Sequence, residues 1–326
     1  MPGRTLIAYP SQTTDPSSDP LSSSAAGFQK NRKPLLLWTM LAVGEAGPGR
    51  VLLVDEATGE VKCADQPSHC GYIPGARVAM SPDGKFVASV GWCDEHWTLW
   101  DATSGEVHRV GARHDGTCAC ICEFSNVRYR LLKEGCSVVA HTAATRALAF
   151  SSCGQRLATG GEDGAVILWD TQTWEAERRV PGPSGITSLS FSADGARLAS
   201  GCIEGTICVL DAPTGALLRT IPQLSSFSFY MQLRFSPTDS LVLASVGADQ
   251  WIHLWNIDTG EKFSSIEGNF LLAFSPDGRT IATASAKARS ERDLLLFDAE
   301  SGTLRVSMVG HQLSVITASF SVSSQP

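Results

Sequence analysis

The sequence predicts an all-β protein that is built from repeated four-stranded antiparallel units. The main observation is an apolar, strand-like run that ends in Asp or Asn and returns along the chain. A short turn follows each run, and an apolar segment with a reversing turn precedes most of them. Because one unit spans about 40 residues, the repetition dictates the architecture. The runs are VLLVD (51–55), WTLWD (97–101), VILWD (166–170), ICVLD (207–211), IHLWN (252–256) and LLLFD (294–298).

The clearest unit runs from His141 to Asp170 and contains three strand-like runs. The first, ATRALAF (144–150), is small and apolar, and the turn SSCGQ after it reverses the chain. The second covers 156–160 and leads into an Asp-Gly turn of the kind that hairpins prefer. The third, AVILW (165–169), is apolar and β-branched enough to be buried. A fourth strand after the next turn completes the meander.

Four side chains of this unit are chemically matched to one another, namely His141, Thr159, Asp163 and Trp169. The indole donates one hydrogen bond, the hydroxyl and the imidazole both donate and accept, and the carboxylate accepts. Placed in line inside a sheet that excludes water, the four groups satisfy one another, so we predict a structural hydrogen-bond network. The alternative is a catalytic base, His141, with its orienting acid, Asp163. It is disfavoured because a Trp stands where a nucleophile should be.

This pattern resembles the WD40-repeat family, whose better-formed repeats share a hydrogen-bond chain of His, Ser or Thr, Asp and Trp. The resemblance covers about 34–320 and implies a β-propeller of four-stranded antiparallel blades. The recurring runs give six blades. A further, degenerate blade is predicted at 114–140, where a first strand ending at Phe124 is followed by too few residues for a second strand. We therefore predict a seven-bladed β-propeller with one degenerate blade, and a six-bladed propeller is the alternative.

The ends of the chain are interpreted from composition and from ring closure. Residues 1–33 are rich in Ser, Thr and Pro and are expected to form a flexible tail, although 5–9 could form one strand. The propeller is expected to cover 34–320, and 321–326 form a short tail. The N-terminal blade has no evident first strand, and 314–320 form a first strand without a successor. We therefore expect these to pair, which removes exposed sheet edges. A truncated, open repeat is the alternative.

Bulk properties indicate a soluble globular chain and exclude several classes of protein. The chain has 326 residues, of which 43% are hydrophobic and 18% charged, and its net charge is −7. The mild acidity argues against direct nucleic-acid binding, which needs a clustered basic face. No apolar run approaches the roughly 20 residues of a membrane span. Since no secretory signal is visible, we expect a cytoplasmic protein, with the nucleus as the alternative.

The ten cysteines are scattered along the chain, and several lie in strand-like runs. We expect them to be reduced and buried rather than paired in disulfides. Alternation would put Cys118, Cys120 and Cys122 on one face of a strand. That geometry suits tetrahedral zinc poorly, and no C-x₂-C pair or H-x₃-H motif accompanies it. We therefore predict no metal and no cofactor.

The resemblance implies a platform that binds other proteins or peptides within a multiprotein complex and performs no chemistry itself. The sequence agrees, since it contains no phosphate-cradling Gly loop, no G-x-S-x-G and no H-E-x-x-H motif. In the family, peptides usually dock on the face that carries the loops into the first strands. Carried over position by position, the predicted partner-binding residues are Arg146, Glu162, Phe229, Met231 and Phe270. We expect Glu162 to lie close to Arg146 and to hold it in place.

The aromatic run at 225–231, SSFSFYM, has two interpretations. Aromatic residues and Met are typical of interface cores, but they fill the space between two blades equally well. The same question applies to Trp92, His96 and Trp97, which are expected to lie in a longer turn of the second unit. The sequence leaves both interpretations open.

Two other functions compete with the scaffold. A substrate-receptor subunit of a ubiquitin ligase often carries Trp-Asp-x-Arg after the third strand, whereas Thr103 and Gln172 stand at the Arg positions of this chain. A propeller enzyme, such as a peptidase or an oxidoreductase, needs convergent polar or metal-binding residues around the channel. No such set is identified, so the chain is predicted not to be an enzyme.

Overall fold

The computed structural model describes residues 5–8, 40–45, 51–55, 61–63, 77–90, 97–112, 137–222, 231–268, 273–284 and 293–308. Every regular element within these ranges is a β-strand, so the predicted all-β class is confirmed. The strands form six sheets, which are numbered in chain order. Five of the sheets have four strands each and are antiparallel throughout, and one sheet has five.

Sheets 1 to 3 contain the first part of the chain. The strands of sheet 1 are β1 (Thr5–Ala8), β2 (Met40–Glu45), β3 (Val51–Asp55) and β4 (Val61–Cys63). The strands of sheet 2 are β5 (Arg77–Met80), β6 (Phe86–Val90), β7 (Trp97–Asp101), β8 (Val107–Ala112) and β9 (Ser137–Val139). The strands of sheet 3 are β10 (Thr145–Phe150), β11 (Arg156–Gly161), β12 (Ala165–Asp170) and β13 (Ala176–Pro181).

Sheets 4 to 6 continue the same order, each with four strands. The strands of sheet 4 are β14 (Ile186–Phe191), β15 (Arg197–Cys202), β16 (Thr206–Asp211) and β17 (Leu217–Pro222). The strands of sheet 5 are β18 (Gln232–Phe235), β19 (Val242–Val246), β20 (Trp251–Asn256) and β21 (Lys262–Glu267). The strands of sheet 6 are β22 (Ala273–Phe274), β23 (Thr280–Ala284), β24 (Leu294–Asp298) and β25 (Leu304–Met308).

Sheets 2 to 6 are stacked face to face, and the apolar core lies between them. Trp169 of sheet 3 packs with Leu99 of sheet 2, and Leu168 of sheet 3 packs with Leu198 of sheet 4. Similar clusters join sheet 4 to sheet 5 and sheet 5 to sheet 6. The first strands β1, β5, β10, β14 and β18 contact one another in this order. Sheets that gather their first strands in this way are arranged as the blades of a propeller.

One row of residues recurs across these sheets and explains their close stacking. The second strand of each of sheets 2 to 6 carries a buried alanine at the same position of the register, namely Ala88, Ala158, Ala199, Ala244 and Ala282. The third strand places a Leu or Val opposite each alanine: Leu99, Leu168, Val209, Leu254 and Leu296. A small residue beside a larger one lets neighbouring sheets interdigitate at native packing density.

The separate degenerate blade predicted at 114–140 is not found among the described residues. Strand β9 instead pairs in parallel with β8, with Val110 opposite Ser137, and becomes the fifth strand of sheet 2. An outer strand offers unpaired backbone groups, so it can accept another strand. Residues 113–136, which include Cys118, Cys120 and Cys122, lie outside the described residues. The predicted count of seven blades is therefore not confirmed.

The first strand of sheet 1 comes from the N-terminal region of the chain. Strand β1 pairs antiparallel with β2, with Thr5 opposite Glu45 and Ala8 opposite Ala42. The structure thus differs from the prediction that 1–33 are a tail and that 314–320 complete this sheet. The edge of β2 is already occupied by β1, which falls within the weaker strand signal noted at 5–9. Residues 309–326 lie outside the described residues.

The turn between the third and fourth strands takes a left-handed backbone conformation. Glycine provides it in sheets 2, 4, 5 and 6, at Gly105, Gly215, Gly260 and Gly302. Sheet 3 has Trp174 at this position with φ 59°, which is a strained conformation for a bulky residue. Trp174 is only 3% exposed and packs edge-on against Phe86 of sheet 2, with ring centroids 5.3 Å apart. Burial of the indole between two sheets therefore offsets the backbone strain.

Substitutions of Trp174 separate packing from strain. Both Trp174→Ala and Trp174→Gly remove the buried indole, so each is expected to lower the free energy of unfolding by a few kcal/mol, with about 3–5 kcal/mol typical of a large aromatic truncation. Only glycine also relieves the positive φ. We therefore expect Trp174→Gly to be more stable than Trp174→Ala by about 1 kcal/mol, as measured by urea unfolding.

Gly105→Ala is the matched control, because Gly105 occupies the same turn position in sheet 2. An added Cβ there meets no atom within 4 Å, and φ is +72°. This variant reports the strain without any packing change, and we expect a loss of about 1 kcal/mol. If the two Trp174 variants are equally stable and Gly105→Ala is as stable as the wild type, the turn stores no strain.

Candidate interaction surface

The four predicted network residues form one continuous chain of hydrogen bonds in sheet 3. Trp169 on β12 donates from Nε1 to Thr159 Oγ1 on β11 over 3.0 Å. Thr159 Oγ1 lies 2.8 Å from His141 Nε2, and His141 Nδ1 lies 2.9 Å from Asp163 Oδ1. Because the indole can only donate, the threonine hydroxyl is left to donate to Nε2, and Nδ1–H then donates to the carboxylate. The network thus joins a buried strand to the turn that carries Asp163.

Asp163 is the anchor at the surface end of this network. Its side chain is 6% exposed, and it also accepts hydrogen bonds from the backbone N–H groups of Thr142 and Ala165. Burial alone would raise the pKa of Asp163, but the hydrogen bond from His141 and the two backbone donors outweigh burial and hold this pKa well below its usual range. Asp163 is therefore an anion at neutral pH.

Arg179 of the outer strand β13 ties the same carboxylate to the sheet edge. Its NH2 group lies 2.7 Å from Asp163 Oδ2, and its NH1 group donates to the carbonyl oxygen of Ala140 over 3.1 Å. The segment that enters β10 is thus fixed from the side by Arg179 and from below by His141. This bracing fixes the neighbouring segments relative to sheet 3.

The tryptophan contact recurs where the third strand has Trp, and the remaining partners vary. Trp100 donates to Ser89 over 2.7 Å in sheet 2, and Trp255 donates to Ser245 over 2.8 Å in sheet 5. In sheets 4 and 6, Leu210 and Phe297 stand at this position and pack with apolar neighbours. Sheets 2, 3 and 5 therefore share the hydrogen bond between the indole and a hydroxyl. In sheet 3 this bond continues through His141 to Asp163.

Sheet 5 contains a second His–Asp pair that the sequence reasoning missed. His253 Nε2 donates to Asp249 over 2.7 Å, and Nδ1 accepts from the hydroxyl of Ser265 on β21 over 2.9 Å. Asp249 lies in the turn before β20, at the position that Asp163 has in sheet 3. Here the histidine comes from the third strand. A His inside the otherwise apolar run IHLW was the available signal.

Arg146 and Glu162 lie at the same end of sheet 3 as Asp163. Arg146 Nε donates to Glu162 Oε1 over 2.9 Å, and Arg146 NH2 contacts the same oxygen. Their side chains are 16% and 40% exposed, respectively. The structure thus brings together the two residues that were expected to be close. It presents a guanidinium that is oriented by one carboxylate and is still reachable from solvent.

Met231 does not belong to this surface. It is fully buried and packs with Leu233 and Ile207 between sheets 4 and 5, so its assignment as a partner-binding residue is corrected to a core role. Close packing explains the position, because a Cβ on Gly201 would lie 2.5 Å from the Met231 sulfur. Phe229 and Phe270 lie outside the described residues.

Trp97 also belongs to the core, since it is fully buried. It packs edge-on against Trp169 of sheet 3, with ring centroids 5.1 Å apart. The question of an interface role at Trp97 is thus answered by inter-sheet packing.

The described residues contain neither a metal-binding cluster nor a membrane-spanning helix. Among them, no group of three or more His, Cys, Asp and Glu side chains is placed to bind a metal ion. No helix long and apolar enough to cross a membrane occurs in the described part of the chain.

Stacked four-stranded sheets with this network resemble those of WD-repeat proteins. The family model "WD domain, G-beta repeat" matches 133–170 and 174–211, so the chain contains WD40 repeats and the resemblance is confirmed. The chain is also similar to Protein HIR1 of Yarrowia lipolytica, with 26% identity over 220 residues. This alignment covers 64% of the present chain and 17% of that protein, so the present chain spans only a small part of its relative's length.

Substitution of Asp163 tests whether the network stabilises the fold. Asp163→Ala leaves His141, Arg179 and two backbone donors without their acceptor, so we expect a loss of roughly 1–3 kcal/mol in the free energy of unfolding. Urea unfolding measures this loss. Glu204→Ala is the matched control, because Glu204 is exposed and occupies the equivalent turn position in sheet 4. A loss no larger than that of Glu204→Ala would remove the network from the account.

The same pair of proteins gives a pH prediction. Because folding lowers the pKa of Asp163, its contribution is present above its unfolded pKa of about 3.9 and is lost as pH falls toward the folded pKa. The stability difference between wild type and Asp163→Ala should therefore be constant from about pH 5 to 7 and shrink below about pH 4. A difference that stays constant down to pH 3 would contradict the assignment.

Proposed function

We propose that this chain is a non-enzymatic scaffold or adaptor that binds a partner protein at the end of the sheets where Arg146 and Glu162 lie. The WD40 repeats and the similarity to Protein HIR1 support a protein-interaction role in general terms. The observation that carries the proposal is the partly exposed guanidinium of Arg146, which lies at the start of β10 and is oriented by Glu162.

Arg146 suits an extended peptide that carries a carboxylate. The guanidinium is held by Glu162 through one oxygen, and an incoming carboxylate can replace Glu162 and form two parallel hydrogen bonds. Exposed ion pairs of this kind contribute little to folding, so exchanging the partner costs the protein little. Phe229 and Phe270 remain the proposed apolar anchors beside Arg146.

The histidine networks favour a structural role over a hydrolytic one. Ser265, His253 and Asp249 are linked in the order of a nucleophile, a base and an acid. The His253 side chain is only 7% exposed and lies within the sheet, held at both nitrogens as His141 is. A base in this position is shielded from substrate, and the arrangement repeats the bracing seen in sheet 3.

The experiment is capture of partners on the intact chain, followed by quantitative mass spectrometry. Arg146→Ala and Phe229→Ala are each expected to weaken capture of the main partner by at least about tenfold, which corresponds to about 1.4 kcal/mol. The melting temperature should stay nearly unchanged, because Arg146 makes an exposed ion pair. Met231→Ala should instead lower stability by about 2–5 kcal/mol, as expected of a core residue.

Arg156→Ala is the matched control for Arg146→Ala. Arg156 also pairs with a glutamate, Glu177, over 2.8 Å and is similarly accessible, but it begins β11, at the opposite end of sheet 3. It should leave capture unchanged. Equal loss of capture in both variants would show that general charge matters and that the proposed surface does not.

A further inference from the structure

Arg234 is the unusual residue of the first strands. It lies on β18, where Leu233 and Phe235 point toward sheet 4 and join its core cluster. Alternation therefore puts Arg234 on the other face of β18. Its register partner on β19 is Ala244, which packs in the cluster between sheets 5 and 6. Arg234 thus lies on the sheet 6 side of β18, where the first strands gather.

The equivalent positions of the other first strands carry small side chains. Register against the recurring alanine row identifies them as Ala79, Ala149, Ser190 and Ala273. Small residues are what close packing of neighbouring first strands requires. In sheet 4, Ser190 accepts a hydrogen bond from the backbone N–H of Phe235 over 3.0 Å. A guanidinium at this position in sheet 5 is therefore not explained by the packing pattern.

The side chain of Arg234 is close to many protein atoms and is also reached by solvent. The residue is exposed to solvent, yet burial lowers the pKa of its guanidinium. The guanidinium therefore has many protein atoms around it and is still in contact with solvent. The group remains a cation at neutral pH, since arginine in proteins is not deprotonated.

Arg234 has few internal partners. Its NH1 group donates to the carbonyl oxygen of Leu233 over 3.0 Å. Among the described residues, the ion pairs formed by arginines involve Arg146, Arg156, Arg179, Arg197 and Arg305, and Arg234 is not one of them. The remaining N–H groups of the fork are thus available. A cation that is partly surrounded by protein and has no ion-pair partner among the described residues gains from a ligand that carries negative charge.

We propose that Arg234 is the centre of a carboxylate-binding site on the inner face of β18. Gln232, two residues earlier on the same face of β18 and partly exposed, supplies an amide beside it. The ligand is a single carboxylate group on a peptide, either an Asp or Glu side chain or a chain terminus. The site does not depend on the Arg146 surface, because Arg234 is the penultimate residue of β18, near the reversing turn that follows it, whereas Arg146 lies at the start of β10.

The chemistry favours a carboxylate over a phosphate. A planar guanidinium matches the two oxygens of one carboxylate, and the charges then balance. A phosphate carries up to two negative charges, and the structure gives this site a single cation from the described residues. With a net charge of −7 for the whole chain, a polyanion such as nucleic acid is repelled over a longer range.

The site can be tested on the full chain by NMR of arginine Nε–H groups. The Arg234 resonance is assigned by its loss in Arg234→Ser, which installs the residue found in sheet 4. The probes are N-acetylglutamate α-amide for a side-chain carboxylate, N-acetylglycine for a terminal carboxylate, inorganic phosphate, and acetamide as the uncharged control. We expect a saturable shift of the Arg234 resonance with one or both carboxylates, at least tenfold weaker binding of phosphate, and no response to acetamide.

Two variants keep the outcome decisive. Arg279→Ser, at an exposed arginine near the rim of sheet 6, should leave the titration unchanged. If Arg234→Ser fails to fold, Arg234→Lys keeps the charge and serves for assignment, and it should bind the carboxylate more weakly than wild type because it lacks the planar fork. No saturable shift with either carboxylate, or equal binding of phosphate, would overturn the proposal. Side-chain and terminal carboxylates are distinguished by which probe binds more tightly.

Discussion

The indole of Trp169 imposes the constraint on which sheet 3 depends. Its ring is fully buried between two sheets, which is favourable, but its N–H must then find an acceptor away from water. The Thr159 hydroxyl accepts that hydrogen bond and donates to His141. His141 in turn donates to Asp163. The chain ends at a carboxylate in a turn, where backbone amides and Arg179 complete it. Burial of Trp169 in the core is thus connected to the conformation of the turn that carries Asp163.

This connection between core and rim explains how the Arg146–Glu162 pair is held in place, with Arg146 on β10 and Glu162 in the turn before β12. Arg146 lies five residues after His141 in the sequence, and Glu162 directly precedes Asp163. Both residues of the exposed pair therefore flank members of the buried network. Loops usually carry function because a rigid scaffold positions them. In sheet 3 the positioning is done by the hydrogen bonds that connect Trp169, Thr159, His141 and Asp163.

The sequence was sufficient to predict the Trp169 network, but it was not sufficient to assign Met231 or His253, for physical reasons. The Trp169 network was predictable because all four residues lie within one repeat and their donor and acceptor capacities match. Met231 could not be assigned, because the side chains that fill a protein core also fill an interface core. Only its burial next to Gly201 decides the matter. His253 was missed because it lies in the strand, whereas the recognised pattern expects the histidine in the preceding loop.

The parallel pairing of β9 was beyond sequence reasoning for a different reason. The first family match begins before β9 and ends with β12, and the second begins before β13 and ends with β16. Each repeat therefore starts with a strand that belongs to the preceding sheet. In the second match, β13 is the fourth strand of sheet 3. In the first, sheet 2 already has β8 as its fourth strand, so β9 can only add outside it.

The direction of β9 follows from this position, because its chain must continue into β10 at the inner side of sheet 3. The outer strand β13 of sheet 3 ends at the same end of the stack at which β14, the first strand of sheet 4, begins. Strand β8 has that direction, and β9 must share it to deliver His141 to the correct end. Two neighbouring strands with the same direction pair in parallel. The topology of the repeat, rather than a preference of the three residues in β9, therefore sets the pairing that gives sheet 2 its fifth strand.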